Sequence, residues 1–207
     1  KRVPMETKYF EVYNQPNVTL VDLRATPIER VNETGIKTSA KQYDLDFIVY
    51  ATGFDAVTGG FKRIDIRGED DQALVDKWSG GPETYLGMQV NGFPNMFMLV
   101  GPHNGATFCN IPRCIEQNVE WVTDLVKYMQ EHHYKRCEAT RDAELAWTEH
   151  VYETAAGSLF TKADSWFMGA NTPGKKRTFL LYAGGAPNYR KKCDEVAAKN
   201  YEGFKMA

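Results

Sequence analysis

Four stretches of this chain carry residue types that could do chemistry. Lys1-Arg2 is a basic pair; read alone, two basic residues at a terminus are usually solvated, and the pair gains weight only beside the other motifs. Tyr50-Ala51-Thr52-Gly53-Phe54-Asp55 closes the apolar run Phe47-Ile48-Val49-Tyr50 with a small-residue turn. In α/β folds ligands sit outside the carboxyl ends of strands, and glycine lets the backbone approach them. Gly101-Pro102-His103-Asn104-Gly105 stands between an apolar run and a helical pattern. Such a unit aims backbone N–H groups at whatever lies above it. It lacks the GxGxxG and GK[ST] spacings, so an ordinary tight turn is the alternative. Residues 162–176 combine Trp166, Gly169, Asn171, Lys175 and Lys176. An indole offers a stacking face and one N–H donor, lysines suit phosphates, and such a loop can fold over a ligand. The alternative is a loop whose tryptophan fills the core.

The elements that must position these residues are those of an α/β chain. Residues 17–23, rich in β-branched side chains, read as a strand. Residues 27–31 and 35–38 read as a hairpin around Asn32-Glu33-Thr34-Gly35. Residues 46–51 read as a buried strand, 70–78 as a short helix, and 84–89 and 95–100 as strands, the second buried on both faces. Ile115, Val119, Val122, Val126 and Met129 recur at spacings of four, three, four and three. They predict a long helix over 112–132, packed on that stripe. Residues 141–156 read as a second helix, 178–182 as a strand, and 189–199 as a last helix.

Length and composition bound the rest. The 207 residues suffice for one large domain or two small ones. A net charge of −2 gives no case for nucleic acid or an acidic membrane. No apolar run approaches the ~18 residues that cross a bilayer. Cys109, Cys114, Cys137 and Cys193 show no CxxC and no metal-ligand spacing. They are expected to be reduced thiols of a cytoplasmic protein, with no zinc site. The opening on Lys1 rather than Met suggests a piece of a longer protein.

Taken together, the motifs resemble type I Baeyer–Villiger monooxygenases, in the group that acts on phenylacetone, cyclohexanone and steroids. The resemblance is carried, in order, by Lys1-Arg2, the Tyr50–Asp55 turn, Gly101-Pro102, the stretch from Asn110 to Trp121, and Ser165 to Lys175. It continues through Cys193-Asp194-Glu195-Val196-Ala197-Ala198 and Tyr201-Glu202-Gly203-Phe204. It covers essentially the whole chain, as the C-terminal part of such an enzyme. The fold it implies has Rossmann-like FAD and NADP domains with added helices. Residues 1–50 would then be the end of the NADP domain and 51–54 an interdomain hinge. Residues 55–207 would be the end of the FAD domain, with a helical region and a mobile loop near 160–177.

The activity implied is FAD- and NADPH-dependent insertion of one oxygen atom from O2 into a ketone, through a C4a-peroxyflavin, to give an ester or lactone. Arg2 matches the catalytic arginine, which also meets the cofactor, and Lys1 the lysine that contacts the NADP phosphate. Trp166 matches the tryptophan of the loop that closes over the nicotinamide cofactor. Ile111 matches the residue whose backbone lies against the flavin. Thr107, Phe108 and Leu181 match pocket positions. The family's two GxGxxG motifs, its histidine-containing signature and the acidic partner of the arginine are absent. The chain alone is therefore expected neither to hold FAD firmly nor to oxidise a substrate; its partner would be the N-terminal portion of the same enzyme. A flavin monooxygenase acting on amines or sulfides, and a non-catalytic module that lost its flavin half, are the alternative readings.

Overall fold

The computed structural model describes residues 5–105 and 109–207. The chain divides into two compact units, Lys1–Gly53 and Phe54–Ala207.

In the first unit a one-turn helix α1 (Tyr9–Val12) precedes a three-stranded antiparallel sheet. Its strands β1 (Ile28–Asn32), β2 (Gly35–Thr38) and β3 (Gln42–Asp44) lie in chain order. The hairpin forms where the sequence places it. Asn32 Oδ1 accepts from the backbone N–H groups of Thr34 and Gly35, at 3.2 and 3.0 Å, and so closes the turn. A side chain at Gly35 would strike the Tyr43 carbonyl, so β3 can pair with β2 only past a glycine.

Two expected strands are absent. Residues 17–23 and 46–51 carry no sheet pairing, and Phe47, Val49 and Tyr50 are 88%, 86% and 73% exposed. Apolar β-branched runs encode a readiness to pair, but a strand exists only through a neighbour's hydrogen bonds. No described residue supplies that neighbour.

The second unit is built on three helices, α3 (Ile111–Glu131), α4 (Arg141–Ala156) and α5 (Ala186–Ala198). Each begins for a local reason. Asn110 accepts from the Arg113 N–H and Thr140 from the Ala143 N–H, and Pro187 opens α5. A short ribbon of β4 (Cys137–Ala139) and β5 (Phe204–Met206) ties the chain end to the start of α4. The core gathers Trp121 and Leu125 of α3, Trp147 and Val151 of α4, Tyr189 and Cys193 of α5, and the run Phe179-Leu180-Leu181-Tyr182. Trp121 Nε1 donates to the Cys193 carbonyl at 2.9 Å, and Trp147 stacks on Tyr182. A second cluster holds Leu74 of α2 (Leu74–Lys77) with Trp78, Val90, Phe93 and Met98.

Five further expectations are corrected. Residues 84–89 and 95–100 form no strand: Tyr85 and Gln89 bridge only each other, and Leu99 is exposed. Residues 178–182 are buried and extended but outside any sheet; their bonds go to Met168, Phe167 and His103. The expected helix over 70–78 is shorter, α2 flanked by single 3-10 turns. The long helix is present, but its packed face is Asn118, Trp121, Leu125 and Met129. Ile115, Val119 and Val126, expected to be core, form with Ile111 an exposed apolar stripe about one residue's rotation away.

Candidate functional site

The loop expected to be mobile is built on two 3-10 turns, Leu159–Lys162 and Trp166–Met168. Phe167 and Met168 are buried and anchor it, while Trp166, between Ser165 and Phe167, is 38% exposed. Its indole meets the Phe167 ring edge-on at 4.5 Å. Phe167, not Trp166, fills the core. The aromatic pair divides the labour: one ring holds the loop down and the other is presented to whatever approaches.

The two lysines of this loop differ. Lys175 is almost fully buried; its ammonium pairs with Asp55 and donates to the Ala56 carbonyl at 3.0 Å. Asn171 Nδ2 donates to the Phe54 carbonyl at 3.0 Å. Lys175 is thus committed to the protein, and the expectation that it serves a phosphate is corrected. The Phe54-Asp55-Ala56 end of the opening turn is the anchor of the tryptophan loop, a link across 120 residues that no spacing signals. Lys176 faces a cavity of about 330 Å³ behind the loop, with Lys62, Trp78 and Thr178 among its walls.

The Gly101–Gly105 loop is held from inside. His103 is fully buried: its backbone N–H donates to the Leu180 carbonyl, and Nε2 lies 3.2 Å from the Phe179 carbonyl. A carbonyl only accepts, so Nε2 carries the proton. Burial pushes the imidazole down to about 4, against the backbone bond and Glu83, which favour the charged form. His103 is therefore a neutral core residue, not a base facing a ligand. Beside it Asn104 Nδ2 donates to Asn118 Oδ1 at 2.9 Å and to the Tyr189 hydroxyl at 2.7 Å.

Ile111 is the first residue of α3 and is 50% exposed. Pro112 has no N–H, and the Arg113 and Cys114 N–H groups donate to Asn110, so this turn offers the Ile111 N–H and the positive end of the helix dipole, which favour an electron-rich ring edge or an anion. Cys109 and Cys114 flank this turn with their sulfurs bonded and Cα atoms 6.9 Å apart. The expectation of four reduced thiols is corrected for this pair, because a helix starting at Ile111 swings Cys114 back to the residue before the cap. Cys137 and Cys193 are free and buried; desolvation pushes both thiols up to about 12. Leu181 is buried in the core. Lys1, Arg2, Thr107 and Phe108 lie outside the described residues. Among the described residues no cluster suits a metal ion, and no helix is long and apolar enough to cross a membrane.

The turn at Ile111 and the indole of Trp166 are two accessible features of this unit. No family model matches the chain. A monooxygenase of Pseudomonas putida named for 2-oxo-Δ3-4,5,5-trimethylcyclopentenylacetyl-CoA is 50% identical over 210 residues, which is 100% of this chain and 38% of that protein. A Baeyer–Villiger monooxygenase of Pseudooceanicola batsensis is 43% identical over 202 residues, 97% of this chain and 37% of its own. The crystal structure of OTEMO in complex with FAD and NADP superposes with a TM-score of 0.94 at 51% identity, covering 100% of this chain and 38% of that one. The chain is homologous to the C-terminal part of Baeyer–Villiger monooxygenases. It spans little more than a third of their length. Its mixture of helices and small sheets is the fold of that part of the FAD- and NADP-bound Baeyer–Villiger enzymes.

Proposed function

We propose that this chain is the C-terminal part of an FAD- and NADPH-dependent Baeyer–Villiger monooxygenase that converts ketones and O2 to esters or lactones. The observation that carries the reading is the match over the whole of this chain, in sequence and backbone, to part of an enzyme solved with both cofactors. The residues present fit one side of such a site. The turn at Ile111 would lie against the flavin, where the Ile111 N–H and the positive end of the helix dipole would steady negative charge on the ring. Trp166 covers the nicotinamide and excludes water when the loop closes. When bound, FAD supplies the oxygen-activating chemistry and NADPH the hydride.

Residues 1–50 belong to the NADP domain, 51–54 to a hinge and 55–207 to the FAD domain. Arg2 stabilises negative charge on the reacting oxygens with a fixed guanidinium, and Lys1 holds the NADP phosphate. Thr107, Phe108 and Leu181 line the ketone pocket. The rest of the enzyme is the partner that covers the exposed stripe Ile111, Ile115, Val119 and Val126, because such contiguous apolar surface is seldom left in water. We assign the protein to the cytoplasm.

The test is on the full-length protein. It should purify yellow with FAD and form ester from a cyclic ketone only with NADPH. An N-oxide or sulfoxide as the sole product would move the reading to amine or sulfide oxygenation. A colourless protein that consumes no NADPH would make it a non-catalytic module.

A further inference from the structure

We propose that Asn104, Asn118 and Tyr189 form a clamp that positions the flavin-facing start of α3, an inference that rests on the function proposed above. Asn118 lies on the packed face of α3, two turns after Ile111, and is fully buried. A buried amide is costly unless its groups are bonded, and this one is bonded to three elements. Its Oδ1 accepts from the Val100 N–H at 3.0 Å and from Asn104 Nδ2 at 2.9 Å. The Tyr189 hydroxyl of α5 accepts from Asn104 Nδ2 at 2.7 Å and lies 3.4 Å from Asn118 Nδ2. It donates its own proton to the Leu86 carbonyl at 2.7 Å. Both N–H bonds of Asn104 are used, so neither amide can flip without breaking the set.

Packing removes the remaining slack. A side chain at Gly87, whose φ is +65°, would meet the Asn104 backbone at 2.7 Å, and one at Gly105 would meet the Tyr189 ring at 2.6 Å. The loop is therefore gripped between Gly87 on one side and Tyr189 on the other. An apolar side chain at 118 would fill the space but leave the Val100 N–H and one of the two Asn104 amide N–H groups without an acceptor. The network is bonded at each polar atom except Asn104 Oδ1, which is buried without a partner among the described residues; the bonds it does make fix one arrangement where apolar packing tolerates several. The clamp sets where the first turn of α3 stands, and through Ile111 it sets the height of the flavin against the ketone. The three are positioning residues: they touch one another, not the reacting atoms.

The test compares full-length holoenzyme carrying Asn118→Leu with wild type, by amide hydrogen exchange and by ester formed per NADPH oxidised. The clamp predicts exchange at least tenfold faster over residues 109–114, with α4 unchanged. It also predicts at least a twofold loss of ester per NADPH, with flavin reduction by NADPH unaltered. Equal acceleration in α4 would make the network merely stabilising and overturn the proposal. So would unaltered exchange over 109–114, or faster exchange there with the ester yield intact. If Asn118→Leu does not fold, Tyr189→Phe removes only the hydroxyl and is read in the same way. If wild type makes no ester from any ketone, the proposed function falls, and the exchange measurement still decides whether the clamp exists.

Discussion

Replacing Lys175 by Met should detach the tryptophan loop from its anchor. The ammonium sits between the Asp55 carboxylate and the Ala56 carbonyl, with its side chain 6% exposed and that of Asp55 23% exposed. Methionine keeps the length of the stem but leaves the carboxylate with no counter-charge in a mostly buried place. Breaking one side of a buried pair costs about 3–5 kcal/mol. Because a quarter of Asp55 still reaches water, about 3 kcal/mol is the better figure. For a unit of this size that is a fall in Tm of roughly 6–12 °C. Adding Asp55→Asn to Lys175→Met removes the orphaned charge and should return at least half of the loss. The single Asp55→Asn change should cost less than Lys175→Met, since a neutral amide can still accept from the ammonium. Thermal unfolding of the four proteins completes the cycle, and limited proteolysis between residues 166 and 174 reads the loop directly. A Lys175→Met protein that melts with wild type, or a double variant whose loss is the sum of the singles, would refute the anchoring role.

Trp166→Ala should raise KM for NADPH severalfold while the protein stays yellow; an unaltered KM would separate the exposed indole from the nicotinamide. Arg2→Ala should abolish ester formation while NADPH still reduces the flavin, and normal ester yield would remove the guanidinium from the chemistry. His103 is held at about 4 against an ordinary 6.5, so below pH 6.5 the unfolded chain takes up the proton first. Its contribution is complete above pH 6.5 and is lost as pH falls towards 4, by roughly 3 kcal/mol in all. His103→Gln should flatten that part of the denaturant-derived stability profile, and an unaltered slope would contradict the neutral, buried assignment.

What the sequence disclosed follows from which information is local. The bounds of α4 are readable because Thr140 caps one end and Gly157 ends the other, both within a turn of the residues they serve. The 32–35 hairpin is readable because Asn32 and Gly35 carry the turn themselves. The runs 17–23 and 46–51 mislead because β-branched residues announce pairing without naming a partner, and 95–100 because a continuous apolar run fits a buried loop as well as a buried strand. On α3 the period was right and the face was wrong. Two apolar edges lie side by side on one helix, and only packing chooses between them. The stripe that looked like core is exposed, while the buried face carries Asn118, a residue that periodicity alone would send to water. Trp166 stood out by its loop's composition and Ile111 entered through resemblance, and the structure leaves both accessible. The Asp55–Lys175 anchor was unreadable, since neither residue departs from an ordinary loop until the two are brought together.

The central claim is oxygen insertion into a ketone, and isotope incorporation tests it most directly. Full-length holoenzyme is given NADPH, a cyclic ketone and 18O2, and the product is weighed. The expected product is a lactone carrying one 18O atom for each NADPH oxidised, with the second 18O atom recovered in water. NADPH consumption that yields no lactone or ester from any cyclic or open-chain ketone, or a product free of 18O, would contradict the claim.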